Sequence, residues 1–296
     1  MRLSDLQLDI FGVRLIRDGE FNSLGSFSRE KQNMLVFIEE EKYIPFILED
    51  KSKYSSVICR SEFLSMIPPH MGVCISDDPK LSFYKLHNYL AESCPSYHIL
   101  PETDISQEAT IHNTAFIDSH VKISKGCIVH PNATILRGTI LEENVVIGPG
   151  SVIGGGGFRF IRNNTDIVPI VHVGGVLLKK GVEVHSNSCI DKAVYSDFTT
   201  IGEDTKISNL VHIAHNVVIG KRCCIPACTM IAGSTIIGDD VWIGPNATVS
   251  NGLVIGNSAR ISLGAVVTKN VPSGMTVSGN FAIEHSKLLR FIKSIR

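Results

Sequence analysis

From Ile105 onward an Ile, Val or Leu falls on every sixth residue: positions 105, 111, 117, 123, 129, 135, 141, 147 and 153, and again at 201, 207, 213, 219, 225, 231, 237, 243, 249, 255, 261 and 267. Four residues after most of these comes a small or modest side chain, among them Ala109, Ala115, Cys127, Ala133, Ser151, Thr205, Cys223, Thr229, Ala247 and Ala265. An amphipathic α-helix needs apolar steps of three and four, and a half-buried strand needs strict alternation. Neither fits a period of six. The spacing predicts a parallel β-helix in which each sextet is one short strand plus a corner and three sextets close a triangular coil. The sixth-residue aliphatic points to the axis, and the small residue near the corner lets the chain turn. Residues 101–280 are assigned to this prism.

The repeat breaks once. GGGGFRFIRNNTDIVPIVHVGG, within the insertion 154–175, cannot pack as a rung and is expected to loop out from the wall. Loops carried on a rigid scaffold are where function concentrates. The repeat resumes at Leu178, Val184 and Ile190, and one residue is skipped before Ile201. Residues 1–100 lack the repeat. There VRLI, MLVFI, SSVIC and GVCIS read as strands, and EKYIPFILED and PKLSFYKLHNYLAES carry helical spacing, which predicts a small α/β domain. FAIEHSKLLRFIKSIR, 281–296, reads as one short basic helix.

Composition narrows the classes. The chain has 296 residues and a net charge of −1, which offers no electrostatic case for nucleic acid. No apolar run is long enough to span a membrane and the first residues do not read as a signal peptide, so a cytoplasmic protein is expected. Cys223, Cys224 and Cys228 in RCCIPAC have no second cluster at zinc spacing, and packing is their expected role.

Few residues carry chemistry. SNLVHIAHNVVIG places His212 and His215 away from the inward Ile207, Ile213 and Ile219, facing solvent or a neighbouring subunit. A neutral imidazole there can take a proton at neutral pH. His185, His212 and His215 also make a metal-dependent hydratase arithmetically possible, and a non-catalytic scaffold is the third reading.

Several motifs, in order, carry a resemblance: VFIEEEKY (36–43), VCISDDPKLSFYKL (73–86), GGGGFRF (154–160), NSCIDKA (187–193) and IAHNVVIG (213–220). Together they are similar to the UDP-3-O-(3-hydroxyacyl)glucosamine N-acyltransferases of lipid A synthesis, across residues 1 to about 280. The resemblance implies a left-handed coil and a homotrimer with active sites between adjacent β-helices. It implies His215 as general base, Phe37 and Tyr43 as the clamp on the nucleotide base, and Gly156, Gly157, Phe158 and Asn216 along the sugar and acyl-carrier arm. Where that family carries Asp seven residues before the base this chain has Ser208, so Ser208 or Asn209 is the expected orienter. Where it carries Asn between the clamping aromatics this chain has Glu40. The last coils, IIGDDVWIGPNATV and GAVVTKNVPSGMTVSGNFA, also look like those of hexapeptide acyl-CoA transferases, which makes Gly233, Gly264 and Lys269 the expected contacts of coenzyme A. No permanently bound cofactor or metal is expected. The co-substrate is an acyl-CoA or an acyl-carrier phosphopantetheine, and the acceptor is the amine of a nucleotide-linked sugar.

Overall fold

The computed structural model describes residues 1–27, 31–50, 52–162, 166–279 and 284–295. The six-residue aliphatics fall where the period puts them. From Ile123 to Val267 they line a continuous axial core, nearly all at 2% exposure or less. Their strands stack into three parallel walls of eight, nine and eight strands, beginning at Asp104–Ile105, Thr110–Ile111 and Phe116–Ile117. Each strand pairs with the one a full coil later, as Val218–Ile219 with Ile236–Ile237. The result is a left-handed β-helix. Only the first coil departs from the pattern: Ile105 is 41% exposed, because no earlier rung covers that end of the prism.

Two devices make the corners. In the regular coils between His120 and Gly264 one corner residue in six takes a positive φ, and this position holds Gly, Asn or Asp most often, including Gly126, Asn132, Asn144, Asp204, Asn216 and Asn246. The small inward residue then bonds the stacked corner. Thr205 donates to the Gly220 carbonyl (2.9 Å), Cys223 to that of Gly238 (3.1 Å) and Cys127 to that of Glu142 (3.0 Å). Cys223 is 1% exposed and burial pushes its thiol up to about 11.

Before the coils lies a five-stranded sheet, β1 Arg14–Arg17, β2 Ser23–Leu24, β3 Met34–Ile38, β4 Tyr54–Cys59 and β5 Gly72–Ile75, in the order β1-β5-β4-β3-β2 and parallel except at β1. Helices α1 (Ile44–Glu49) and α2 (Pro79–Ser93) pack on it, with Asp78 capping α2 through the Leu81 N–H at 2.9 Å. Helix α3 covers His285–Ser294; residues 281–283 and 296 of the expected terminal helix lie outside the described residues.

The insertion forms an arm. Phe160–Arg162 and Ile167–Pro169 pair as an antiparallel hairpin that lies against α2. Asn88 holds its returning side through both atoms of the side-chain amide, donating to the Pro169 carbonyl (2.8 Å) and accepting from the Val171 N–H (3.0 Å). Arg159 donates to the Tyr84 hydroxyl at 2.9 Å, and Tyr195 from the next coil meets the same oxygen at 3.0 Å. His87 contacts the Val171 carbonyl at 2.8 Å. The arm thus ties α2 to the prism.

This joint is sensitive to acid. Burial pushes both His87 and His172 down to about 4. A histidine whose folded value is depressed takes up its proton on unfolding, so stability rises with pH between about 4 and the unfolded value near 6.5. Lowering the pH through that window should cut the urea midpoint, and His87→Gln should flatten the dependence. A midpoint constant from pH 7 to 4.5 would refute the linkage.

Candidate functional site

The corner between the third and first walls collects the unusual features of the chain. The arm leaves the prism there, after the third-wall strand Val152–Gly155, and returns at the first-wall strand Gly175–Leu178. One coil on, eleven residues separate Ile190 from Ile201 where six separate Ile213 from Ile219. The phase slip read as one skipped residue is therefore a five-residue outward bulge. It buries Val194 and Tyr195 against the amino-terminal sheet and its helix. His215 follows on the next coil at the same corner.

His215 lies outside the axial core, as the spacing predicts, but it does not face solvent. It is 9% exposed because the arm of its own chain covers it. The ring rests on Gly233 of the following coil, where an added Cβ would stand 2.6 Å from Cε1 and 2.8 Å from Nε2. On the other side a Cβ on Gly157 would stand 3.1 Å from His215 Cδ2, 3.0 Å from His172 Nε2 and 3.1 Å from Asp191 Oδ2. Two glycines, above and below, make room for the imidazole. The His172 and His215 rings meet at 5.5 Å.

Hydrogen bonding sets the tautomer of His215. Asn216, held in its left-handed corner conformation at φ 64°, accepts the Val194 N–H on its side-chain oxygen at 2.9 Å, which identifies that atom as oxygen. The same oxygen lies 3.1 Å from His215 Nδ1. An amide oxygen only accepts, so Nδ1 carries the proton and Nε2 presents its lone pair.

His172 and Asp191 were not singled out as site residues by sequence. The signal for Asp191 was its place in NSCIDKA beside the phase slip; His172 had only its place near the end of the arm. His172 Nδ1 lies 3.0 Å from the Ile170 carbonyl, and its Nε2 is buried without a partner among the described residues. Asp191 sits at the end of its third-wall strand with its side chain 11% exposed, 3.6 Å from His212 Nε2. Burial raises its carboxyl, and His212 offsets part of that. A cavity of about 310 Å³ opens beside this group, lined by Arg137, Gly154, Gly156, His172 and Lys192 among others. Burial, then Arg137, lowers the Lys192 ammonium.

The other expected residues are dispersed. Ser208 and Asn209 stand on the edge between the second and third walls, where Asn209 accepts the Ser186 N–H at 2.9 Å. Within one protomer they are a whole wall away from His215. Gly264 shares their edge, with φ +63° and open space around an added Cβ. Lys269 lies on the His215 edge: His215, Gly233, Asn251 and Lys269 follow one another at one residue per coil, which places Lys269 about 14 Å along the prism. Phe158 is 88% exposed at the base of the arm, in contact with Phe160 at 4.8 Å. Phe37 packs on Phe83 at 5.1 Å, whereas Tyr43 stacks on Phe27 at 5.2 Å, so the two rings belong to separate apolar clusters. Glu40 pairs with Lys42 at 2.7 Å, and that ammonium lies 5.0 Å from the centre of the Tyr43 ring. The three histidines of the hydratase reading do not converge within one protomer. His185 lies beside Glu183 at 3.7 Å on the second-to-third edge, His212 on the third wall and His215 under the arm. Among the described residues no group of three or more His, Cys, Asp or Glu is placed to hold a metal ion, and no helix is long and apolar enough to cross a membrane.

The chain has counterparts among known proteins. Residues 120–155, 198–233 and 234–269 match the family described as Bacterial transferase hexapeptide (six repeats). A UDP-3-O-acylglucosamine N-acyltransferase of Helicobacter pylori is 31% identical over 82% of this chain and 78% of its own length. Another, from Wolinella succinogenes, is 30% identical over 94% of this chain and 92% of its own. The solved UDP-N-acetylglucosamine acyltransferase of Francisella novicida superposes with a TM-score of 0.50 over 64% of this chain and 72% of its own, at 20% identity, a likeness of fold. Prism, arm and relatives agree: the chain belongs to the family of UDP-3-O-acylglucosamine N-acyltransferases.

Proposed function

We propose that this chain transfers an acyl group, such as a 3-hydroxyacyl group, from a phosphopantetheine thioester to the amine of a nucleotide-linked amino sugar. The donor is an acyl carrier protein or coenzyme A, and UDP-3-O-acylglucosamine is the acceptor to try first. The observation that carries this reading is the tautomer of His215, its Nδ1–H turned to Asn216 and its Nε2 left as the basic nitrogen, in a crevice between the arm and the wall. As the sugar nitrogen attacks the thioester carbonyl, Nε2 takes its proton, and the imidazolium then returns it to the departing thiolate. Asn216 orients the ring but carries no charge to stabilise the imidazolium, unlike a carboxylate. The Gly233 N–H, at a corner where Ala232 and Ser234 carry the ladder bonds, is the donor this reading assigns to the oxyanion. Ser208 and Asn209 could reach an imidazole only from an adjacent protomer, consistent with catalysis at the interfaces of a homotrimer. Gly156, Gly157 and Phe158 border the acceptor, and Lys269, farther along the edge, suits the distal part of the donor, with Gly264 across the wall. The expected setting is the cytoplasm, where nucleotide sugars and acyl thioesters are made.

In this reading the amino-terminal domain, residues 1–100, binds the nucleotide. Phe37 and Tyr43 flank the end of β3, and the Lys42 ammonium provides a donor that Glu40 does not. Tyr43→Ala and Phe37→Ala should each raise the KM for the sugar nucleotide about tenfold and leave that for the donor within twofold. Equal effects on both substrates would remove the nucleotide from this domain. The activity itself is tested by incubating the purified protein with UDP-3-O-acylglucosamine and a 3-hydroxyacyl carrier-protein thioester, then looking for the N-acylated sugar by mass spectrometry. Absence of product with either a carrier-protein or a coenzyme A donor would refute it.

A further inference from the structure

The polar groups around Gly157 share one chemical property. His172 Nδ1 faces the Ile170 carbonyl, which can only accept, so that nitrogen holds the proton and Nε2 is an acceptor. This Nε2 is buried at a residue 6% exposed, and nothing among the described residues satisfies it. A buried acceptor without a donor is costly, and its persistence calls for an explanation. Asp191 Oδ2, the second group facing the same gap, is also an acceptor when ionised, and His212 approaches it from the wall at 3.6 Å. The third is the ring of the base, His215. Only glycine lets the three come so near position 157, where any Cβ would crowd them all, and His172 also lines the adjoining cavity of about 310 Å³.

We propose that His172 Nε2 and Asp191 Oδ2 form an ammonium seat that receives the acceptor amine beside His215 and distinguishes an amino sugar from one lacking the nitrogen. A protonated primary amine brings three N–H donors and one positive charge, which matches two acceptors, one of them anionic, with a base at their side. A carbonyl or a phosphate, having no proton to give, would leave both acceptors unsatisfied. Lys192 and Arg137, the latter paired with Asp118 at 3.1 Å, also line the cavity and suit the anionic remainder of the same molecule. Burial keeps His172 neutral at neutral pH, so it does not repel the incoming cation. The seat rests on the acyl-transfer reading for its ligand, and it works before the chemistry: the amine docks as ammonium, loses one proton to solvent as the donor closes the site, and is held for attack while His215 takes the second.

The test is equilibrium binding without any acyl donor. Isothermal titration compares UDP-3-O-acylglucosamine with its 2-deoxy analogue, in which hydrogen replaces the amine, on the full-length protein and on His172→Phe and Asp191→Asn. The intact protein should bind the amine at least tenfold more tightly than the analogue. Each variant should reduce that preference at least fivefold while leaving the affinity for the analogue within twofold. A variant that weakens both ligands alike makes the residue structural and overturns the seat, as does an intact protein that binds the two equally. Because no turnover is read, a preference for the amine without N-acyl product would sink the transferase reading and spare the seat; product formed without such a preference would do the reverse.

Discussion

Replacing His215 by Ala should lower kcat at least a hundredfold and leave the β-helix intact. The magnitude follows from the role: a positioned general base contributes about 10²–10⁴. The structure separates that role from stability. The axial core is built by Ile207, Ile213, Ile219 and their stacked equivalents, and the imidazole lies outside it, between two glycines. The ladder bonds of its coil come from backbone groups such as Ala214 N to Ile231 O (3.0 Å) and Val218 N to Thr235 O (3.0 Å), which the substitution does not touch. Circular dichroism and size-exclusion chromatography should therefore be unchanged while steady-state turnover collapses. A rate within fivefold of the parent would take His215 out of the chemistry altogether.

The prism was legible in the sequence because one physical demand, an aliphatic side chain facing the axis at each flat segment, recurs without regard to context. Positions 123 to 267 could be assigned from spacing alone, and so could the place where the chain must leave the wall. The amino-terminal strands and helices were legible for a related reason, since each carries its own period. The site was legible in part. His215 stands out by its place beside an inward Ile, and the arm by its glycines. What covers His215 was not, because His172 and Asp191 meet it only through coil stacking and the folding back of the arm, contacts that local periodicity does not encode. The slip before Ile201 was visible, yet spacing modulo six cannot tell a deletion of one from an insertion of five, and the second is what buries Tyr195 on Tyr84. For the orienting group the sequence points to a neighbouring corner, Ser208 or Asn209, whereas within one protomer the residue next to the base meets its Nδ1. Asn216 is a common occupant of the left-handed corner, so its side-chain contact was hidden behind an ordinary backbone requirement.

Gly233→Ala should cost nearly as much turnover as losing the imidazole, about a hundredfold, with little change in Tm. Gly233 is not at a positive φ, so alanine meets no backbone strain there. The conflict is with the ring: the new methyl would lie 2.6 Å from Cε1, 2.8 Å from Nε2 and 3.1 Å from Nδ1, well inside contact distance. The imidazole cannot simply step back, because Gly157 and the His172 ring stand on its other side and Nδ1 is held by Asn216. It must tilt, which moves the lone pair off the line of attack, and a displacement of about 1 Å can cost a hundredfold. The methyl would also narrow access to the Gly233 N–H proposed for the oxyanion. The double variant His215→Ala, Gly233→Ala separates these effects by non-additivity. If the methyl acts through the ring alone, the double variant is no slower than His215→Ala. A further loss of tenfold or more would show that the glycine contributes to the transition state in its own right. Activity close to that of the parent in the single Gly233→Ala variant would mean that the ring is not held as described.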